Sequence, residues 1–241
     1  MNTRRRGRSA ARYIAGGAGL AAASYALCAG LTWCGYGRPS LARSREEEDA
    51  LLDRFMPVYE AVERHARRVA APTEGVLAAA CELDLSQSMI AQSLFKTRAW
   101  FMGTRSRSSS EARGLLVEMK RLGWRVLAEV PGREIVVGAV TQPWMADVVF
   151  HGVPPEEFAA FNQPDFVKIA WTLRADPVES GGSVLRTETR VMTTNYSARR
   201  NFRKYWSLIF PGVVLIRLVL MNMAKRDAEQ RMRVPLPVRA Q

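Results

Sequence analysis

The chain has 241 residues, with 35 lysines and arginines against 23 acidic residues and a formal net charge of +12. That excess sits at the ends: five arginines stand in the first twelve residues, most of the remainder lies between Arg199 and Arg233, and residues 13–198 are close to neutral. A nucleic-acid binder carries its basic face and stacking aromatics inside the folded body, three cysteines cannot build a disulfide framework, and neither His65 nor His151 has partners at metal-ligand spacing, so nucleic acid, metal and cofactor are not expected.

Residues 1–12 form a basic tail, and residues 13–36 carry no charge. About 20 helical residues cross a hydrocarbon core of roughly 30 Å, so this stretch reads as a single-pass transmembrane anchor. A cleaved signal peptide is the rival, but Leu27, Leu31 and Trp33 continue the apolar pattern beyond Ala21, Ala22 and Ala23. Gly16, Gly17, Gly19 and Gly30 keep the hydropathy low. Five arginines precede the stretch, and Arg38, Arg43, Arg45 and Arg54 follow it. By the positive-inside rule this favours an inside N-terminus only slightly, and leaves the side of the domain open. Basic ends beside apolar stretches suit anionic headgroups, at about 1 kcal/mol per residue near the surface, although a solvated helix face explains the C-terminal set equally well.

Residues 37–57 read as a juxtamembrane linker. Ser44 to Glu47 has the form of a capping box, and Leu51, Leu52, Phe55 and Met56 follow at helical spacing before Pro57. The resulting short amphipathic helix either packs on the domain or lies on the membrane. The domain itself is placed at 58–233, with a tail at 234–241.

Within it, 59–70 alternates weakly as a strand, 74–81 is a helix, and Ser86 caps another with Met89, Ile90, Leu94 and Phe101 on one face. Residues 105–110 form a polar loop, and Leu115, Leu116, Met119 and Leu122 mark a helix stopped by Gly123. Strands follow at 124–130 and 134–142 around a Pro131-Gly132 turn, and again at 147–153. A short helix opens at Pro154. The clearest strand pair is 166–176 and 183–194, with Val167, Ile169, Trp171 and Leu173 on one face of the first. In the second, Leu185, Thr187, Thr189 and Val191 oppose Arg186, Glu188 and Arg190. The last helix, 197–231, is expected to break at Pro211-Gly212 and is apolar nearly all round beyond it.

This order, and in particular His65 through Pro72, Lys168-Ile169-Ala170-Trp171, Arg186 through Val191 and Phe202 through Trp206, resembles the SRPBCC superfamily with its START-like helix-grip fold, in an uncharacterised bacterial branch. The resemblance covers roughly 58–231. It implies an α+β domain in which a curved antiparallel sheet wraps a long C-terminal helix and leaves an internal cavity, here held at a bacterial inner membrane. Superfamily members include lipid carriers and polyketide cyclases, and no motif fixes a catalytic residue.

Candidate cavity residues are Trp144, Trp171, Glu188, Arg190, Tyr205 and Trp206. The tryptophans and Tyr205 are more simply core. Glu188 with Arg186 and Arg190 is more simply a solvated charge ladder or cross-strand pair, unless that face turns inward to bind a polar head or move a proton. The leading expectation is a membrane-anchored domain binding a lipid or other hydrophobic small molecule. The alternatives are a polyketide cyclase/dehydratase-like enzyme, or a non-catalytic interaction protein with a filled core.

Overall fold

The computed structural model describes residues 3–84 and 114–233. In chain order these form α1 (Thr3–Gly35), α2 (Ala50–Asp53), β1 (Ala61–Val69), α3 (Thr73–Cys81), α4 (Leu115–Arg121), β2 (Arg125–Val130), β3 (Glu134–Thr141), β4 (Phe150–His151), α5 (Pro155–Phe158), β5 (Val167–Pro177), β6 (Ser183–Thr193) and α6 (Tyr196–Arg233). The strands make one open antiparallel sheet in the order β1-β6-β5-β3-β2, with the two-residue β4 paired to β3. The architecture is α+β.

Period-two alternation gives the sheet two different faces. Ile135, Val137, Trp171, Leu173 and Leu185 point to one side, where they pack with Val76, Leu77 and Ala80 of α3 and with Leu220, Met221 and Ala224 of α6. Val136, Val140 and Ala170 point to the other side. There Leu52, Phe55 and Met56 from the segment around α2, together with Phe158 of α5, close a second apolar layer. Each such fully buried side chain contributes about 1.5–3 kcal/mol.

Two local devices admit Phe158. A Cβ on Gly138 would come within 2.5 Å of Leu127 Cδ1 and 2.8 Å of Phe158 Cε2, so only bare backbone fits under that ring. A register shift between Val126 and Ala128 brings Leu127 to the same cluster. The ammonium of Lys168 then donates to Ala159 O at 2.8 Å and Phe158 O at 3.4 Å, satisfying carbonyls at the end of α5. Burial lowers the Lys168 pKa.

Several expectations change. The capping box does not start a helix: residues 45–47 form a turn, and Asp49 is the cap, its Oδ1 accepting from Leu52 N at 2.8 Å. Leu52 and Met56 are buried against the sheet, so this segment packs on the domain. The strand expected at 147–153 reduces to β4, whose pairing covers only Val140 and Thr141. Pro211 lies inside a continuous α6 and does not break it; the helix is held by apolar contacts on both sides of the proline, at Phe202 and Trp206 before it and Leu220 and Met221 after it. The helix expected after Ser86, the polar loop at 105–110 and the tail at 234–241 lie outside the described residues.

α1 runs past the basic tail as one helix, and its apolar part, Gly19–Gly35, is shorter than a full span; among the described residues α6 is the one helix long and apolar enough to cross a membrane, by length and composition alone. α1 packs on the first half of α6 in the opposite direction. Arg203 Nε donates to Trp33 O at 2.9 Å with its guanidinium 4.2 Å from the Trp33 ring centroid, and Tyr25 Oη donates to Leu208 O further along.

Candidate functional site

The side of the sheet under α6 is apolar at both ends and incompletely covered in the middle. Phe202 stacks on Trp206 with ring centroids 5.6 Å apart and meets Val167, Val191 and Ala61. Trp171 lies edge-on to Trp124 at 6.4 Å. Between these packed ends, Ile169 is partly exposed although β5 is an interior strand flanked by β3 and β6. Facing it are Trp144, Tyr205, Ile209 and Val213, all apolar or aromatic and all only partly buried. Together these residues form a partly exposed apolar seam beside the packed core.

One step along the strands the same side turns polar. Glu63 stands opposite Thr189, and His65 opposite Thr187. Glu63 Oε1 lies 2.8 Å from His65 Nε2, while Glu63 Oε2 and Thr187 Oγ1 are buried without a hydrogen-bond partner among the described residues. Arg217 reaches in from α6, donating through Nη2 to Thr189 Oγ1 at 2.7 Å with its guanidinium 5.6 Å from the Trp171 ring centroid. Burial pushes the Arg217 pKa down, and the Glu63 carboxylate opposes that shift. A carboxylate, an imidazole and a guanidinium thus adjoin the apolar seam. Orphaned buried polar atoms of this kind cost about 1–3 kcal/mol each, and Glu134 Oε1 on the opposite face is another.

The opposite face carries a dense charge network. Arg64 grips Glu188 with Nε to Oε2 at 2.9 Å and Nη2 to Oε1 at 2.8 Å, and Arg190 Nε adds a third contact to Oε1 at 2.6 Å. Arg190 also reaches Asp53 and Met56 O, and its guanidinium lies 4.7 Å from the Tyr59 ring centroid. Nearby, Arg174 donates to Glu48 O at 2.7 Å and Asp176 Oδ2 at 3.1 Å. Burial and the neighbouring Asp49 push Glu134 up to about 8, with Arg174 pulling the other way. These groups pin residues 46–59 across the sheet.

Of the six residues expected to line a cavity, Trp144, Trp171, Tyr205 and Trp206 come together on the α6 side, Trp171 and Trp206 as core and Trp144 and Tyr205 at the seam. Glu188 and Arg190 point to the other face. They form a buried ion pair there, 5 % and 3 % exposed, and not a solvated ladder. Sequence reasoning missed Ile169 as a seam residue, and also Glu63 and Arg217. The one available signal was Arg217 at helical spacing from Val213 and Met221 within an apolar run.

A cleft of about 70 Å³ opens on the charged face beside Asp49, Arg64 and Glu188, and one of about 200 Å³ lies between Arg68, Gly181, Lys225 and Glu229. Both are below the roughly 300–1,000 Å³ of typical small-molecule pockets. Among the described residues no three His, Cys, Asp or Glu side chains gather as a metal site. Burial pushes the Cys81 thiol up to about 11, leaving little thiolate at neutral pH. Compared with known proteins, the chain matches no family model, and no curated protein or solved structure gives a significant match.

Proposed function

We propose that this chain is a START-like, helix-grip-type domain of a bacterial inner membrane, held there by its N-terminal helix as a single anchor, and that it takes up a lipid or other hydrophobic small molecule at the seam between β5 and α6. The observation that carries this reading is Ile169, an interior strand residue left partly exposed opposite the partly buried Ile209 and Val213. An acyl chain laid along that seam removes apolar surface from water at about 25 cal/mol per Å². Its polar end would meet Arg217, one residue pair away along the strands.

The test uses the full chain in native-lipid nanodiscs with a diazirine-bearing palmitate as probe. Adducts on peptides containing Trp144, Ile169 or Ile209, lost on Ile169→Trp, are the expected result. Adducts confined to α1, or unchanged by Ile169→Trp, overturn the seam.

A second reading, an interaction domain with a filled interior, is favoured by the close Phe202–Trp206 and Trp124–Trp171 contacts. It predicts no seam adduct in the same experiment. The cyclase-like reading has less support, since the Glu188 carboxylate is held by Arg64 and Arg190 on the face away from the seam.

A further inference from the structure

The packing of α1 bears on how a membrane would hold this protein. Along α1, Cys28, Ala29 and Thr32 are partly buried and Tyr36 just after it is buried, while Tyr25 is exposed but reaches Leu208 O; Leu20, Leu27 and Leu31 form a separate stripe that is 65–73 % exposed. α6 has an outward stripe of its own, in which Arg200, Lys204, Leu208 and Leu215 are exposed. Its opposite side lies on the sheet, from Phe202 over Val191 to Lys225, whose ammonium donates to Arg68 O of β1 at 3.0 Å.

These contacts fix α1 against α6, and α6 against an open sheet whose edge strand is β1. If α1 crossed a bilayer upright, the contacting half of α6 would follow it to the same depth. The strands that this half covers, at Ala61 of the edge strand β1, Val167 of β5 and Val191 of β6, would then be drawn toward hydrocarbon with it. Open sheet edges are not tolerated there, because each unsatisfied backbone group costs several kcal/mol.

We infer that α1 lies in the plane of the membrane surface, not across it, seating the leucine stripes of α1 and α6 in the headgroup–acyl boundary of an anionic bilayer. The occupant is argued from charge. Arg200 and Lys204 continue directly into Leu208 on the outward stripe of α6, and the sequence places five arginines in the first twelve residues ahead of the α1 leucines. Apolar residues on one face with lysine and arginine beside them mark an interfacial helix, buried about 5–10 Å deep.

This inference rests on the membrane part of the proposed function and specifies its geometry. Spin labels are placed one at a time at Leu20→Cys, Leu27→Cys, Leu31→Cys and Leu215→Cys in the full chain, with the native cysteines changed to serine. Each protein is bound to vesicles of equal parts phosphatidylcholine and phosphatidylglycerol, and depth is read from oxygen against nickel-chelate relaxation. An in-plane helix gives similar shallow depths at all four sites, and vesicles of phosphatidylcholine alone weaken binding severalfold. An upright helix gives a gradient, because Leu20 and Leu31 are about 16 Å apart along the axis; that result overturns the in-plane seat while leaving membrane attachment intact. Labels shielded from both reagents indicate that a second copy of the chain covers the stripe, and labels open to water alone remove the membrane reading altogether. Because all four positions are exposed, labelling leaves the core untouched, and thermal melting of each labelled protein checks this.

Discussion

The two faces of one sheet are held in opposite ways. Beneath residues 46–59, arginines and carboxylates form a dense network, with three bonds on Glu188 alone, although Glu134 Oε1 is buried there without a partner among the described residues. Under α6 the apolar layer gapes at Ile169, while Glu63 and Thr187 each leave a buried oxygen without a partner among the described residues. Satisfied networks rigidify, and each buried polar atom left without a partner calls for its own explanation. The contrast is one of packing: ion pairs hold the charged face, and apolar contacts with a partly exposed stretch at Ile169 hold the α6 face.

The most severe way to break the contrast is to strip the matched face of its central acid. Glu188→Ala leaves Arg64 and Arg190 buried without their shared carboxylate and is expected to cost about 3–5 kcal/mol, read as a lower denaturant midpoint. Glu188→Gln, which keeps the shape, should cost less.

Next is Gly138→Val. Its side chain collides with Phe158 and Leu127, and overpacking of this kind costs about 1–3 kcal/mol. A thermal melt that moves by less than a degree would disprove the need for bare backbone there.

A pH titration sharpens the same face from another direction. Glu134 is raised from 4.5 to about 8, chiefly by burial and then by Asp49, so the folded state binds a proton that the unfolded chain releases near 4.5. Stability is therefore full below that lower value and declines as pH rises through about 8. The expected signature is a melting temperature that falls across this window, with the slope flattened in Glu134→Gln.

The smallest effect belongs to the open side. Ile169→Ala should cost about 1 kcal/mol, against about 2–5 for Ile135→Ala, whose side chain is fully covered. Equal losses would mean that the seam is as tightly closed as the rest of the core.

The order of elements was readable because strand and helix periods are local properties. The pair 167–177 and 183–193, the turn at Pro131-Gly132 and the stop at Gly123 all follow from alternation and from glycine, which has φ +99° at Gly123. Which face Glu188 takes was not readable. Alternation separates it from Thr187 and Thr189 but carries no information on which side α6 will lie. The Arg64 partnership joins residues 124 positions apart. The persistence of α6 through Pro211 was likewise hidden, because packing on the sheet outweighs a local cost of about 3 kcal/mol. Asp49, which caps α2, was masked by the stronger-looking pattern at Ser44.

Immediately after α1, the chain enters the domain through a short lock. Tyr36 Oη donates to Glu60 Oε2 at 2.8 Å, Thr193 Oγ1 donates to the same oxygen at 2.6 Å, and Gly37 N donates to Glu60 O at 2.9 Å. No slack hinge separates helix from sheet at this point. These bonds tie the end of the leading helix to the end of β6, so the direction the helix takes is coupled to the direction the sheet faces.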